Sequence, residues 1–373
     1  MTDVGLSRQR RSSQKPAKGA ELDALVAGAG LGGLLVSALL LSQGRRVHLT
    51  EKLARAGGRL SPEVRDGVTP GAGSAVGDSP WWRAFADRIG IKSPTLPVSE
   101  GKALVHSSKG WLTPEHLPAW ETFLTDPCTE FPAGGTYGLT EALLAYCGSK
   151  EGFTLSYECP VTAITGTDGL VSGVALGPDA VVKPRDFYWC ADYKTLLEIM
   201  VAGGGIPEPG PERVSWLKRF EKTKPQPGVV LEFAHKTKLG DFTETLALPF
   251  QAGDKEERRY CVGAIVSNRD LSLAPEGKSL SSWMFPLTEA EWGDNHETMK
   301  KIRSARRLVE KAFPQLEQTL HFDRVLVLDS TVHPLAKKKG DWHSPLANFH
   351  LTCDWAAPGG ATLPSLAETI LSL

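Results

Sequence analysis

The 373-residue chain has no C-x-x-C spacing, and its six cysteines (Cys128, Cys147, Cys159, Cys190, Cys261 and Cys353) are widely scattered. A chain this long buries a core without a disulfide framework, so reduced thiols in a cytoplasmic setting are expected. It also lacks an excess of either charge. Forty-two Lys and Arg stand against 43 Asp and Glu, a net charge of -1, which removes the electrostatic footprint that nucleic acid demands. The nine histidines show no metal-ligand spacing, and neither G-x-S-x-G nor a Cys/His pairing points to hydrolysis. Internal repeats and long low-complexity tracts are missing too, which excludes solenoids and arrays. The length suits two domains.

Two segments bear on location. The uncharged run from Ala24 to Ser42 is long enough for a membrane span. It contains Gly28, Gly30, Gly32 and Gly33, however, and a strand–turn–helix explains that spacing better. The first 21 residues form a basic arm: Arg8, Arg10, Arg11, Lys15 and Lys18 accompany a lone Asp3 up to Gly19. Its polar, aperiodic character predicts disorder. The alternatives are an organellar transit peptide and peripheral contact with anionic lipid. Lys337-Lys338-Lys339 reads as a solvated turn, with phosphate or headgroup binding as its alternative.

What is present begins with Asp23–Ala27, a short apolar strand running into Gly28-Ala29-Gly30-Leu31-Gly32-Gly33. An apolar helix follows from Leu34 to Ser42, ended by Gly44, and Val47–Thr50 is a second strand that stops at Glu51. A G-x-G-x-x-G alone is weak, but here a strand precedes it, a helix follows, and an acid closes the next strand. Gly28 permits the tight turn, Gly30 lets the backbone approach a pyrophosphate, and Gly33 lets helix and strand pack closely. The helix N-terminus offers N–H donors to phosphate. Glu51 is placed to accept from ribose hydroxyls, and a carboxylate there disfavours a 2′-phosphate.

Further along, Trp81 to Ile89 alternates at helical spacing, and residues 92–132 look irregular and proline-rich. A helix is expected from Thr140 to Cys147, then strands between Phe153 and Leu176 around the Thr167-Asp168-Gly169 turn. Strands are expected over 229–234, 244–248, 260–266, 280–285 and 322–328. Helices are expected over 295–313 and 362–371.

Gly57-Gly58-Arg59, coming just after Glu51-Lys52, brings a resemblance. The chain resembles the flavin amine oxidase and phytoene desaturase superfamily, whose members close a G-G-R element over a cofactor diphosphate. Pro132–Leu143 is similar to that family's return into the cofactor domain. Cys159-Pro160-Val161 is similar to the strand whose Val meets the adenine through its backbone. Ala274–Lys278 resembles a hairpin turn of the desaturase branch's substrate sheet. Cys353-Asp354-Trp355 with Pro358-Gly359-Gly360-Ala361-Thr362 resembles the closing flavin motif, and the matches run from about Ala24 to Leu371.

The resemblance implies FAD as cofactor, held by Gly28, Gly30, Leu31, Gly32, Gly33, Glu51 and Lys52, and by Gly57, Gly58, Arg59 and Val161. Asp354, Gly360, Ala361 and Thr362 would complete the site, with the last helix aimed at the flavin N1–C2=O edge, where reduction places charge. Cys353 stands where the family usually has Gly, so crowding of the flavin or ribityl chain is expected.

The fold implied is α/β: a discontinuous Rossmann-type FAD/NAD(P)-binding domain (22–80, 134–205 and 325–373) plus a smaller α+β substrate domain. That second domain (81–133 and 206–324) would carry a mixed sheet and a reduced helical cap. The function implied is hydride abstraction from a small apolar substrate, isoprenoid- or lipid-like, in the manner of a desaturase or oxidase. The turn at Pro275–Lys278 and the lack of an evident lysine beside the flavin favour this over an amine oxidase. The other alternative is a non-catalytic relative that binds flavin or nucleotide as a scaffold. No catalytic residue is assigned. Trp342 and Trp355 are either core or the lining of a substrate tunnel.

Overall fold

The computed structural model describes residues 22–58, 64–69, 80–92, 95–97, 103–113, 130–177, 180–202, 216, 218, 227–250, 260–328, 344–353 and 363–373. The basic arm, the 337–339 lysines, Trp342 and Trp355 lie outside them. Among the described residues the strands form four sheets.

The first sheet contains β1 (Leu22–Ala27), β2 (Val47–Thr50), β7 (Phe153–Ser156), β11 (Pro184–Trp189) and β17 (Phe349–Leu351), in the order β17-β11-β1-β2-β7. Every pairing is parallel. Helix α1 (Leu31–Ser42) crosses over between β1 and β2, so the strand–turn–helix reading of the apolar run holds. The helix starts three residues earlier than the pattern suggests, because Leu31, Gly32 and Gly33 are themselves helical. It is apolar almost all round because it is buried almost all round. Beneath it lies the sheet, and against it pack α2 (Pro80–Ile89), α3 (Gly135–Gly148) and α9 (Leu363–Leu371).

Helix α2 buries Trp82, Phe85, Ala86 and Ile89, an i, i+3, i+4, i+7 stripe, into this same core. Residues 81–89 were expected in a substrate domain. Their apolar face belongs with the glycine-turn helix. Helix α4 (Tyr193–Ala202) packs on the opposite side of the sheet. A hairpin of β8 (Val161–Thr167) and β9 (Leu170–Leu176), with β10 (Ala180–Val182), covers that side too. Its turn is the expected one, with Asp168 and Gly169 both at positive φ.

The larger sheet has the order β16-β12-β15-β14-β13-β4-β5. Its strands are β4 (Leu104–Ser107), β5 (Gly110–Leu112), β12 (Gly228–His235), β13 (Leu246–Pro249), β14 (Tyr260–Ala264), β15 (Ser279–Pro286) and β16 (Leu320–Leu328). The sheet is mixed, since β13 pairs parallel with β4 and antiparallel with β14. Short β3 (Thr95–Pro97) pairs with β6 (Glu130–Pro132). Residues 92–132 are thus not simply irregular: they contribute two strands to the sheet's edge, in runs of three and four residues too short to show alternation.

Other boundaries shift for local reasons. Tyr260–Val266 stops at Ala264 as a strand, because α5 (Val266–Arg269) begins there. The turn at Pro275–Lys278, with Gly277 at φ +78°, closes the 14-residue link between β14 and β15 and is not a tight hairpin. The expected domain boundary at 324/325 falls inside β16. After α6 (Glu289–Gly293), α7 (Asn295–Ala312) is capped by Asp294, whose side chain accepts from His296 and Glu297 N–H. It lays Ile302, Ala305 and Val309 on Leu231, Phe233, Trp283 and Phe285, and α8 (Leu316–Thr319) leads into β16. Among the described residues no helix is long and apolar enough to cross a membrane.

Candidate functional site

Strand order reverses at β1: β2 and β7 lie on one side, β11 and β17 on the other. In an open parallel sheet the crevice beyond the strand C-termini at such a reversal is where ligands settle. The glycine turn occupies that place.

Its glycines serve different purposes. Gly28 has φ +98° and donates its N–H to the Thr50 carbonyl at 2.8 Å, which ties the turn to β2. A Cβ on Gly33 would stand 1.9 Å from the Gly28 carbonyl oxygen, so no other residue fits where the helix passes the turn. A Cβ on Gly32 would come within 3.1 Å of the Thr352 carbonyl oxygen. Gly30 is the contrast, because among the described residues nothing lies within 4 Å of the position its Cβ would take. Room is left there. Gly30 is also the N-cap of α1, with extended backbone, no side-chain cap and no acid in the first turn. The first-turn N–H groups of Leu31, Gly32 and Gly33 are thereby left for an outside acceptor, and the helix dipole favours an anion.

Glu51 follows β2 directly and is buried. One carboxylate oxygen accepts from Ala29 N–H at 2.8 Å, the other from Leu53 N–H at 2.9 Å. An ionised carboxylate has about four acceptor positions, so Glu51 braces the glycine turn and retains capacity for hydroxyl donors. Lys52 points elsewhere: its ammonium lies 3.4 Å from Asp192 and is half exposed. Gly57 and Gly58, at φ +100° and +54°, fold back over the turn. Gly57 donates to the Ala29 carbonyl at 2.8 Å, and a Cβ on Gly58 would lie 3.4 Å from Gly30 Cα. Val161 opens β8, buried; two residues earlier Cys159 N–H donates to the Glu51 carbonyl.

The chain's last strand returns to the same place. Thr352 N–H and the Cys353 thiol both donate to the Trp189 carbonyl, at 3.0 and 2.8 Å. Thr352 Oγ1 lies 3.0 Å from Cys190 Sγ. The Cys353 side chain is therefore seated within the protein, against the second sheet-side core. Arg59, Asp354, Gly360, Ala361 and Thr362 lie outside the described residues.

Sequence reasoning missed Cys190, Ala191 and Asp192, which cross the lip of the crevice at the end of β11. Asp192 accepts from Thr195 N–H and from its hydroxyl, both at 2.8 Å, at the start of α4. Burial works to raise its carboxyl, but the Thr195 donors and the Lys52 ammonium outweigh this and hold it below the usual range. Burial pushes the Cys190 thiol up to about 12, so it stays protonated. The signal was the apolar run Phe187-Tyr188-Trp189 followed by an acid and then a helical stretch. It was obscured because β11 lies more than 150 residues after β1 in the chain yet pairs directly beside it.

The NAD(P)-binding Rossmann-like domain family matches residues 26–89, from β1 through α2. No curated protein matches the chain. Solved structures share its fold along nearly the whole length. An oxidoreductase from Methanosarcina mazei superposes with a TM-score of 0.76 at 16% identity, covering 94% of this chain and 99% of the other. A reduced UDP-galactopyranose mutase gives 0.66 at 14% identity, with 94% of each chain covered. A putrescine oxidase bound to putrescine gives 0.61 at 13% identity, covering 94% and 98%. At such identities the likeness is one of fold, and the Rossmann-type α/β architecture with a second sheet is shown.

Proposed function

We propose that the protein is a FAD-dependent oxidoreductase that takes hydride from an apolar, isoprenoid- or lipid-like substrate. The observation that carries this reading is the closing of Gly57-Gly58 onto the glycine turn beside a buried Glu51, with open space at Gly30 among the described residues. A structural βα turn would have no use for that space or for an uncapped helix start. The arrangement fits an adenosine diphosphate moiety: an anion at the α1 N-terminus and hydroxyl donors at Glu51. The second glycine loop, drawn over the first, favours FAD over a nicotinamide cofactor.

In this reading the N–H groups of Leu31, Gly32 and Gly33 hold the diphosphate, with Gly58 and Arg59 closing over it. Glu51 orients the ribose, with Lys52 held off by Asp192, and Val161 supports the adenine side. Thr352 and Cys353 fix the strand that delivers Asp354, Gly360, Ala361 and Thr362. Bound FAD would supply a two-electron acceptor for the hydride. Residues 22–80, 134–205 and 325–373 would house it, and 81–133 with 206–324 the substrate. In this proposal helix α2, packed with α1, goes with the first group, and the end of β16 goes with the second.

The test is direct. The purified protein is expected to absorb near ~375 and ~450 nm, and these bands bleach when a substrate is added anaerobically. A colourless protein that retains no FAD after incubation and gel filtration, yet binds NADH, would overturn the reading.

A further inference from the structure

Helix α7 carries six Lys and Arg against two Glu, in a chain whose net charge is -1. Its inward face is apolar, with Ile302, Ala305 and Val309 laid on the larger sheet. The residues it exposes are His296, Met299, Lys300, Arg303, Arg307 and Lys311. At about 100° per residue, Lys300, Arg303, Arg307 and Lys311 share one stripe directly opposite the buried face, roughly 16 Å long. The helix's two acids are engaged, Glu297 with Lys300 at 3.2 Å and Glu310 with Arg306 at 3.0 Å. Arg303, Arg307 and Lys311 have no ion pair among the described residues.

Aliphatic side chains flank this stripe on one side. Strand β16 follows α7 through α8 and so runs back along it, and Arg306 Nη1 holds Asp323 at 2.7 Å. Asp323, Val325 and Val327 stand opposite Phe233, Leu231 and Val229 in register, which puts them on the face of the sheet that α7 covers. β16 is the edge strand, and Val325 and Val327 are left 43% and 44% exposed. They follow Asp323 toward the helix N-terminus, where Met299 is 48% exposed on the Arg306 side of the stripe. Single exposed aliphatics are ordinary; three beside a cationic ridge form a pattern.

We propose that the outer face of α7, with the adjoining edge of β16, docks on an anionic lipid bilayer. Lys300, Arg303, Arg307 and Lys311 meet headgroup phosphates and carboxylates, and Met299, Val325 and Val327 enter the boundary between headgroups and acyl chains. Lys and Arg suit such a boundary, because their stems lie along apolar surface while the charges reach the headgroups. Nucleic acid would use the cations and leave the aliphatics wet. A helix ridge is convex, so a short acidic peptide reaches two or three of its cations, whereas a flat anionic surface reaches all four. The inference goes beyond the preceding reading and uses no residue of the glycine-turn site.

Sedimentation of the full chain with vesicles tests it. The vesicles are phosphatidylcholine alone and phosphatidylcholine with about one-third phosphatidylserine. Partitioning is expected to be at least ~10-fold stronger on the anionic vesicles and to fall steeply as NaCl is raised to about 0.5 M. Arg303→Gln combined with Arg307→Gln should weaken it ~10-fold at an unchanged melting midpoint, since both positions are exposed and Gln suits a helix. Met299→Gln should weaken it ~3-fold. The basic arm ending at Gly19 is present in every sample, so binding that it supplies is common to all and the differences belong to α7. If the double variant fails to fold, Arg307→Gln alone replaces it, with a loss of ~3-fold expected. No binding to anionic vesicles, equal binding to both kinds, or undiminished binding in the arginine variants or in Met299→Gln would each overturn the proposal. Tighter binding of polyglutamate or of a DNA duplex than of anionic vesicles, lost with the same arginines, would overturn lipid as the occupant. Vesicle binding is read without regard to flavin content, so its failure leaves the cofactor reading untouched.

Discussion

The five-stranded sheet and the seven-stranded sheet present their surfaces with different atoms. At the end of the first, the candidate site is made of backbone: an uncapped helix start, four glycines, and a single buried acid bonded to main-chain N–H. The second instead buries a polar row of side chains in register across strands far apart in sequence, Glu232, Ser282 and Arg324. A backbone site is defined by what must be absent, since each missing Cβ has a geometric reason. A side-chain row is defined by pairing, and pairing is a property of topology.

The sharpest way to break the first half of that contrast is to add a Cβ at two glycines three residues apart. Gly33→Val is expected to prevent folding of the βαβ unit, because its Cβ would overlap the Gly28 carbonyl and backbone must move. Soluble yield and urea denaturation measure it. Gly30→Val should leave the melting midpoint nearly unchanged and abolish FAD retention, because it fills only open space. If Gly33→Val were as stable as Gly30→Val, the two glycines would not have the separate roles assigned here.

Each sheet also buries one histidine, which sharpens the comparison with a pH dependence. His48 of β2 lies 2.9 Å from Ser156 Oγ and His235 of β12 lies 3.1 Å from Ser281 Oγ, both fully buried. Burial disfavours the charged ring and brings each down from 6.5 to about 4. The unfolded chain then takes up protons first as pH falls, so stability rises with pH between about 4 and 6.5 and is lost on acidification through that window. By pH 5 the loss is about 2 kcal/mol for each histidine, from the shift at ~1.4 kcal/mol per unit. Urea midpoints at pH 7.5 and pH 5 test this. His48→Gln and His235→Gln should each flatten the profile, and a profile unchanged in both would remove the histidines as its cause.

Glu51→Gln probes where the backbone site depends on one side chain. The amide has one acceptor oxygen where the carboxylate has two, so either the Ala29 or the Leu53 N–H loses its partner. FAD affinity is expected to fall by about 1–3 kcal/mol. The burial and two backbone bonds predict a stability loss of about 1 kcal/mol as well. An unaltered FAD dissociation constant would remove Glu51 from the ribose role.

The same contrast explains what was legible. Glycines with a geometric necessity announce themselves by spacing, so the β1–α1–β2 unit was readable from sequence, while the closing of Gly57-Gly58 was legible only through the family resemblance. The Asp168-Gly169 hairpin was readable because positive φ restricts residue choice. By contrast β11 and β17 were not seen, although β11 pairs directly with β1 and β17 with β11. β17 has only three residues, and β11 ends in a run of three buried aromatics, Phe187 to Trp189, that shows no alternation. β4 and β5 hid among prolines for the same reason of length. Arg324 and Glu232 looked like ordinary residues of two separate strand candidates, 92 positions apart, and only their register brings them together.

The smallest expected effect lies where the chain departs from the family it resembles. Steric reasoning on the sequence alone placed the Cys353 side chain against the flavin, so that Cys353→Gly would tighten binding. The thiol instead donates to the Trp189 carbonyl at 2.8 Å and packs among Val161, Trp189 and Phe349 in the core on that side of the sheet. Its removal deletes a buried contact, leaves a carbonyl with one fewer donor and adds backbone entropy to the unfolded chain. Together these are expected to cost about 1–2 kcal/mol of stability, with FAD affinity unchanged or slightly weaker as the end of β17 loosens. Cys353→Ser separates the contributions, since it keeps a donor and about the same volume and should recover most of the loss. Chemical denaturation of the three forms, with FAD titrated into each, decides it. Tighter FAD binding in the Gly form at undiminished stability would restore crowding as the explanation and would mean that the Trp189 contact gives way once cofactor is bound.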